Sequence, residues 1–522
     1  MRKFIALSAI AALSTGAFAA EDLSAKIADL EAQLKALNAK VNEVKAHDAG
    51  DNLKFNVDFR TQVDNISYKN SSGTTIADND ALMTNRLWLN MGYAVDQNNI
   101  FKGTLSYNKA YGDSASHTQS NIDGSMSLNY FDWVTNENAT DNTLKVKEAY
   151  WLYMNDTFLG TDHPWTASFG RRPSTDGLGA NFALNSEAKS PLAHTVNVEF
   201  DGASFKFDNL LPTPGDSFKI CLGRGLTNAT PRFDMFNPAY AANTNTNPMY
   251  GTTASHTENI DMYGFIFVPY DDGQYSVSTN LARADHLIGF TQSALNKFNM
   301  AYGAYTNNPA VNETYWDATF GTSASTTNKP AYGSWDAFAA LMANTPAFSD
   351  VGSINLATAM FKAEGIGNGI SPALDDTKFF ASWAMSETDP NANGMLGSTD
   401  SKTGYSYWVG INAPCPLTTD GRWGVEWNKG SKYWRSVTYG EDRMIGSKIA
   451  TRGNALEVYY AKPLTKALHL NVNYTNIKYD YTGSNSFFGA DGAPLTMAEA
   501  IAAGQNPVKE ASDIKASISY RF

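Results

Sequence analysis

The chain has 522 residues, and its formal net charge of −12 argues against a nucleic-acid-binding protein, which needs a basic surface. Beyond residue 20, no continuous apolar run approaches the roughly 20 residues that a transmembrane helix requires. Aromatic residues make up 12% of the chain and glycine numbers 40, a content shared by outer-membrane barrels and by large secreted β-proteins.

Residues 1–20 have the pattern of a secretory signal peptide. Arg2 and Lys3 precede a short apolar stretch, and residues 17–19 form a small-x-small cleavage site. The apolar stretch is too short to cross a bilayer as a helix. We therefore predict export and cleavage close to Ala20.

Residues 21–46 carry an unbroken heptad pattern, with apolar side chains at alternating steps of four and three. These side chains are Leu23, Ile27, Leu30, Leu34, Leu37, Val41 and Val44. The pattern predicts a short coiled-coil helix that associates with copies of itself, and we expect a homotrimer. A single amphipathic helix that lies on a barrel or plugs it is the alternative. A polar linker follows at 47–52.

From residue 53 onward, short runs alternate between apolar and polar residues. In the first run, Leu53, Phe55 and Val57 alternate with polar residues that include Asp58 and Arg60. Alternation with a period of two predicts strands with one apolar face and one polar face. We predict an all-β fold over 53–522, a transmembrane antiparallel β-barrel of about 16 strands (range 14–18) in the outer membrane of a Gram-negative bacterium.

Two further runs carry specific expectations. The run 144–154 predicts a strand with Lys145, Lys147, Trp151 and Tyr153 on one side. The run 196–207 predicts another strand. Residues 96–99 between two early runs predict a tight turn.

The chain ends on the clearest strand pattern. Ile514, Ala516, Ile518, Tyr520 and Phe522 alternate with polar residues. This pattern predicts the closing strand of a barrel, with its apolar face in lipid. A strand of a soluble sandwich would alternate in the same way.

Long interruptions separate some of the predicted strands. They cover 227–258, 299–370 and 483–509, with helical spacing at 334–342 and at 496–503. Large outer loops of a barrel either cap the pore or fold into it as a constriction. We expect the last of these loops to be extracellular.

Basic residues on the polar faces of predicted strands, or beside them, are the candidates for the pore lining. The paired Arg171 and Arg172 end a strand before Pro173, and either could instead pair with a loop carboxylate such as Asp176. The complete set of candidates is Arg60, Arg86, Lys102, Lys145, Lys147, Arg171, Arg172, Arg422 and Lys429.

The segment 421–435 mixes cations with tryptophans. Such a mixture could line a pathway for a ring-bearing or anionic solute. The tryptophans could equally anchor the barrel at the membrane interface, which we favour for Trp427.

One loop resembles the front of a calcium-binding loop. Asp389, Asn391 and Asn393 alternate before Gly394, and Asp400 occupies the last ligand position. Pro390, the missing final glutamate and the strand-like flanks depart from the helix-loop-helix pattern. The prediction is thus a calcium site at these four residues, with a polar hairpin loop as the alternative.

Other chemistry has little support in the sequence. No Gly-x-Ser-x-Gly, His-Glu-x-x-His, phosphate-loop or haem-attachment pattern occurs. We therefore expect no enzymatic activity and no cofactor beyond calcium. The sequence leaves open whether Cys221 and Cys415 pair, because spacing does not fix geometry.

Several of these runs together resemble a family of uncharacterised, porin-like outer-membrane proteins of epsilonproteobacteria with a DUF3373-type domain. The runs are 170–177, 422–428, 433–435 and 520–522. The resemblance implies a porin-like barrel and implies no substrate. We predict passive diffusion of small hydrophilic solutes; the alternatives are a non-channel surface barrel and a sheath around a partner complex.

Overall fold

The computed structural model of the protein describes residues 54–111, 144–184, 186–226, 260–289, 295, 349–438, 441, 443–484 and 492–522. The predicted signal peptide, the heptad helix 21–46, the linker 47–52 and the helical piece 334–342 lie outside these residues. They stay predictions, as does the homotrimer that the heptads suggest.

In the described part of the chain, sixteen strands pair antiparallel with their sequence neighbours and close into a barrel. The strands are β1 (Lys54–Asn70), β2 (Thr75–Ala94), β3 (Asn99–Ala110), β4 (Leu144–Asn155), β5 (Trp165–Arg172), β6 (Phe200–Asp208), β7 (Ser217–Leu226), β8 (Ile260–Asp271), β9 (Tyr275–Gly289), β10 (Ser349–Glu364), β11 (Lys378–Pro390), β12 (Thr403–Pro414), β13 (Arg422–Gly430), β14 (Gly453–Pro463), β15 (Leu468–Tyr479) and β16 (Val508–Arg521). The predicted all-β antiparallel barrel and its strand number are confirmed.

Three short helices lie between strands: α1 (Ala180–Leu184), α2 (Pro372–Asp375) and α3 (Met497–Ala502). The predicted helical piece at 496–503 is α3. It begins with a capping box in which Thr496 and Glu499 satisfy each other's backbone N–H groups. No helix among the described residues is long and apolar enough to span a membrane.

The closing strand pairs with the first strand as its alternation predicts. Tyr520 lies opposite Phe59, and Val57 and Phe522 exchange two backbone hydrogen bonds of 2.8 and 3.0 Å. Ile514, Ile518 and Tyr520 are exposed on the outside, while the alternating Lys515, Ser517 and Ser519 are buried inside. The barrel therefore has an apolar outer face and a polar inner face at this seam.

The two ends of the barrel differ in their connections. Seven short connections, at 95–98, 156–164, 209–216, 272–274, 365–377, 415–421 and 464–467, lie at what we call the turn end. The first is the predicted tight turn, in which the Asp96 carboxylate accepts N–H bonds from Asn98 and Asn99. The segments 173–199, 391–402, 431–452 and 480–507 lie at the opposite end, which we call the loop end.

A β-bulge in β4 corrects one sequence prediction. Glu148 lies opposite Thr104 and Val146 lies opposite Leu105, so Lys147 is the extra residue. Lys147 is buried inside, whereas Trp151 is 44% exposed and stacks on Phe169 outside. The prediction that Lys145, Lys147, Trp151 and Tyr153 share one side is therefore wrong, because the bulge shifts the alternation.

A second correction concerns the start of β6. The sequence predicts a strand from residue 196, but β6 begins at Phe200. Residues 196–199 instead lie inside the barrel, where Val196 and Val198 pack against Ile354 and Leu356 in an apolar cluster. The apolar core thus lies between this segment and the barrel wall.

Candidate functional site: the barrel interior

Two connections at the loop end fold into the barrel. We call the β5–β6 connection, 173–199, inner loop 1, and the β13–β14 connection, 431–452, inner loop 2. Ala193, His194 and Thr195 of inner loop 1 are fully buried, as are Trp434 and Arg452 of inner loop 2. Burial of this degree in connecting segments requires close packing against the inner wall and against each other.

The two inner loops are joined to each other by their backbones. The N–H of Asn197 donates to the carbonyl of Val437 at 2.7 Å, and the N–H of Val437 donates to the carbonyl of Thr195 at 2.9 Å. Val196 and Val437 belong to the same apolar cluster. The pairing satisfies backbone groups that water does not reach, so the loops form one body inside the barrel.

His194 fixes inner loop 1 to the wall. Its Nδ1 lies 2.7 Å from the Ser382 hydroxyl of β11, and its Nε2 lies 2.9 Å from the Ser406 hydroxyl of β12. Trp408 and Trp434 contact the ring edge to face, at centroid distances of 5.6 and 5.7 Å. Burial lowers the pKa of His194 to about 3, so the imidazole is neutral at physiological pH.

The opposite side of inner loop 1 is held by a buried ion pair. The Glu199 carboxylate lies 3.1 Å from Lys147 Nζ, with side-chain exposures of 0% and 1%. Thr175 donates its hydroxyl to the same carboxylate at 2.7 Å. Lys147 alternates with the outward-facing Val146, so it lies on the inner face just before the bulge reverses the alternation.

Inner loop 1 therefore crosses the lumen. It contacts β4 through Glu199 and, besides the serines of β11 and β12, it contacts β10 where Thr195 and Thr358 share a hydrogen bond of 2.8 Å. In a ring of sixteen strands, β4 and β10–β12 are on nearly opposite sides. The loop thus divides the interior.

Inner loop 2 is attached by a network of opposite charges. Lys448 contacts both Glu426 of β13 and Glu457 of β14. Arg443 contacts Glu457 and lies 3.4 Å from Glu441. Burial raises the pKa of Glu441, an effect that the neighbouring Arg443 opposes. Each buried charge in this network has an opposite charge beside it, as burial requires.

An open cavity remains between the inner loops and one side of the wall. It is bordered by β1, β2 and β14–β16 and is open to solvent, and the space within it that water-sized spheres can occupy is about 60 Å³. We call it the charged cavity, because six basic side chains and three carboxylates line it. They are Arg60, Arg86, Arg443, Lys448, Lys515, Arg521, Asp176, Glu441 and Glu457.

The wall of the charged cavity carries a basic strip. Arg60 and Arg86 lie directly opposite each other on β1 and β2. Asp58 lies 3.5 Å from Arg86 and 3.0 Å from Arg521, which compensates part of the charge. The Arg86 guanidinium also covers the Trp88 ring at 3.5 Å. The excess of positive charge favours anions in this cavity.

The predicted pore-lining candidates separate into groups. Arg60 and Arg86 line the charged cavity. Lys147 is buried in its ion pair with Glu199, so it supports inner loop 1 instead of facing an open space. Lys145 and Lys102 lie opposite Ser106 and Gly92 on inner-face positions, and Lys102 is exposed near the turn end.

The predicted arginine pair divides between two environments. The strand register places Arg171 with the outward Phe169, and its guanidinium lies 3.6 Å from the exposed Asp201 carboxylate. Arg172 instead contacts the buried Ser204 hydroxyl. The alternative pairing with Asp176 does not form for Arg171, which is itself buried. The pore-lining role of the two arginines stays a prediction.

Two candidates of β13 also separate. Arg422 lies at the turn end, where it contacts Asp376 at 2.8 Å and Asn412 at 2.5 Å. Lys429 alternates with the buried Asn428 and Gly430, and lies on the outer face opposite Tyr407. The predicted pore-lining role of Lys429 is contradicted by this placement. Trp427 is exposed on the same outer face, which fits an interfacial anchor.

The predicted calcium loop is held together by other contacts. Asp389 forms an ion pair with Arg283 at 2.8 Å, and the Asn391 and Asn393 amides donate to Asp350. Gly394 has a φ of 74°, as the predicted sharp turn requires. These bonds explain the loop as a hairpin, and no group of three His, Cys, Asp or Glu suited to a metal occurs in the described ranges. Calcium at Asp389, Asn391, Asn393 and Asp400 stays a prediction.

Cys221 and Cys415 are both free thiols. Cys221 lies within β7 and Cys415 follows β12 at the turn end, so the disulfide that the sequence left open does not form.

Several important residues escaped the sequence prediction. Lys515 and Arg521 lie on the polar face of the closing strand, so the alternation alone could have added them to the candidates. His194, Glu199 and Lys448 had no comparable signal. Their roles depend on the inward folding of two loops, which no periodicity indicates.

A family model described as "Protein of unknown function (DUF3373)" matches residues 76–522. No curated protein matches the chain.

Several solved structures align with this chain over most of its length, with low sequence identity. An anion-selective porin from Comamonas acidovorans is 10% identical, with 90% of this chain and 99% of that chain covered and a TM-score of 0.43. A high-pH structure of Pseudomonas putida OprB is 12% identical, with 92% and 96% covered and a TM-score of 0.43. The outer membrane channel DcaP of Acinetobacter baumannii is 9% identical, with 90% and 97% covered and a TM-score of 0.42. The strand pairing of this chain itself establishes the fold. Structural similarities with TM-scores this low carry no further argument.

Proposed function

We propose that this chain, which belongs to the DUF3373 family, is a porin-like channel for passive diffusion of small hydrophilic solutes across the outer membrane of a Gram-negative bacterium. The charged cavity is the observation that carries the proposal. It is an open, polar space beside the inner loops, within a barrel whose outer face exposes apolar side chains. Such a surface suits lipid, and such a lumen suits hydrated solutes.

The charge of the cavity supports a preference for anions. Six basic side chains against three carboxylates give a positive excess. A ring or strip of fixed charge in a narrow passage concentrates ions of opposite sign. Passive diffusion requires no tighter binding site, because a solute that binds weakly to these charges can leave the cavity again.

Swelling of proteoliposomes tests the proposal. Liposomes that contain the purified protein should swell in isotonic solutions of small sugars or of organic anions, and swelling should become slower as solute size increases. Liposomes without protein, and liposomes with heat-denatured protein, are the controls. Failure of vesicles with correctly folded protein to swell would contradict a channel.

A barrel closed by its inner loops is the second candidate, because the inner loops are packed tightly against the wall. His194, Thr195 and Arg452 are fully buried. In that case the loop end would carry an adhesive or structural role, and the swelling assay would be negative. The sheath around a partner complex has less support, since it needs a wide lumen and two loops fold into this one.

Export and assembly complete the proposal. Residues 1–20 would be cleaved during export, and the heptads of 21–46 would hold three copies together. Mass measurement of the protein isolated from membranes tests the cleavage. Chemical cross-linking of the full mature chain, compared with a Leu30→Pro variant, tests the trimer.

A further inference from the structure

A second cavity lies inside the barrel, on the other side of inner loop 1. We call it the side pocket, and β5–β9 form its wall. Val196 lines the side pocket, and the next residue, Asn197, lines the charged cavity. Inner loop 1 therefore separates two compartments that differ in chemistry.

Glycines in the wall make room for the side pocket. Gly202 of β6 lies directly opposite Gly223 of β7, and Gly264 of β8 follows one strand further. A Cβ atom at Gly223 would lie 3.2 Å from that of Phe200, so a side chain there would crowd the pocket. About 550 Å³ of space remains unfilled, continuous with solvent.

Two cations line this space without a carboxylate partner. Arg172 donates to the Ser204 hydroxyl, and Lys219 donates to the Ser190 hydroxyl at 2.6 Å. In the part of the chain that the structure describes, neither makes an ion pair. By contrast, Lys147, Arg443 and Lys448 inside the same barrel all contact carboxylates.

The remaining lining is mostly apolar. Val196, Phe200, Met262 and Ala282 contribute to it. A cation in apolar surroundings is costly unless an opposite charge accompanies it. An anion with an apolar body would satisfy both the two cations and the apolar lining.

We propose that the side pocket binds a small organic carboxylate, with the carboxylate group between Arg172 and Lys219 and the apolar part against Phe200 and Met262. The site is separate from the charged cavity, so the proposal does not depend on whether the barrel conducts. It adds a specific binding function to a barrel that we otherwise propose to be a passive diffusion channel.

Cys221 offers a direct reporter of this site. It lines the pocket and lies opposite Ser204, the partner of Arg172, in the strand register. It is two residues from Lys219 on the same strand. The sequence has one other cysteine, Cys415, at the turn end. A Cys415→Ser variant therefore leaves one thiol, and a bound carboxylate should shield it from alkylation.

The experiment measures the rate at which N-ethylmaleimide alkylates Cys221 in the folded Cys415→Ser protein. Saturating 4-phenylbutyrate should slow the reaction at least fivefold. The neutral 4-phenylbutyramide, which has the same shape, should have little effect, and so should inorganic phosphate. Equal protection by the amide, or none by the acid, would overturn the proposal. Equal protection by phosphate would contradict the proposed contact of the ligand's apolar part with Phe200 and Met262.

Two lysine variants test whether the carboxylate that protects Cys221 binds at Lys219. Lys219→Met in the Cys415→Ser background should abolish protection by 4-phenylbutyrate. Lys206→Met is the matched control, because Lys206 lies opposite Lys219 in the register but already pairs with Asp208 at 2.6 Å. Protection that survives Lys219→Met would contradict the site. Heat-dependent mobility in gels checks folding, and if Lys219→Met does not fold, the acid and amide comparison decides alone.

Discussion

Val437 donates its backbone N–H to the carbonyl of Thr195 across 2.9 Å, and this bond links two loops that are distant in sequence. The return bond from Asn197 makes the link a short stretch of sheet inside the barrel. Both loops are also attached to the wall, so the link and these attachments join them into one packed unit.

Removal of the link should widen the proposed passage. A Val437→Pro substitution deletes the N–H donor and introduces a ring, with an expected cost of about 1–3 kcal/mol to the docked arrangement. We expect a larger single-channel conductance than that of the unmodified protein. Val437→Ala keeps the bond and is the control. Identical conductance for the proline and alanine variants would show that the link does not limit the passage.

Acid should loosen inner loop 1. His194 has its pKa lowered to about 3 by burial, against about 6.5 in an unfolded chain. The stability that the neutral ring contributes is thus complete above pH 6.5 and declines as the pH falls toward 3, by up to about 5 kcal/mol. Limited proteolysis of inner loop 1 should accelerate over this range.

A His194→Gln variant should lose most of that pH dependence, because glutamine is neutral throughout and can still bond to serine hydroxyls. His163→Gln, at the turn end, is the control and should behave like the unmodified protein. If proteolysis of the His194→Gln variant accelerates in acid as steeply as before, other groups control the docking.

Breaking the buried ion pair should cost far more than breaking an exposed one. Glu199→Gln leaves Lys147 buried without its counter-charge, and we expect a loss of about 3–5 kcal/mol in unfolding experiments. Asp261→Asn removes the partner of Arg224, where both side chains are exposed (52% and 41%), and should cost about 0–1 kcal/mol. Similar losses for both variants would contradict the structural role of the pair.

The double variant Lys147→Met/Glu199→Gln separates the pair from its surroundings. The double variant also removes the positive charge of Lys147, so it should be more stable to unfolding than Glu199→Gln alone. If the double variant is no more stable than Glu199→Gln, the loss comes from the contacts of Glu199 with Thr175 and the backbone, and not from its pairing with Lys147.

Ion selectivity should respond to Arg60 and not to Lys429. Arg60 lines the charged cavity, whereas Lys429 lies on the outer face. Arg60→Glu should therefore shift the reversal potential toward cations, while Lys429→Glu, the same change in charge, should leave it within error. An equal shift for both would mean that the strand register given for β13 is incorrect.

The sequence predicted the features that repeat with a period of two. The closing strand shows this best, because Ile514, Ile518 and Tyr520 alternate with Lys515 and its neighbours without interruption. Burial of one face is a strong constraint on such a pattern, so alternation reveals strands and their faces. One strand was missed, because β10 lies within the interruption expected at 299–370.

The sequence did not predict features that break this period or that arise between distant segments. One extra residue at Lys147 reversed the faces of the rest of β4. Lys429 was chosen as a basic residue on or beside a polar strand face, although its parity with Trp427 already placed it outside. The His194 and Val437 contacts join segments far apart in the chain, and no local pattern specifies such contacts.

The most direct test of the account is the conductance of single barrels in a planar bilayer, in salts that pair ions of different size. The account predicts stable, reproducible conductance steps and a reversal potential that favours anions, from the basic strip of the charged cavity. A barrel that is folded and inserted but does not conduct would contradict the channel. Steps that favour cations would contradict the role given to Arg60 and its neighbours.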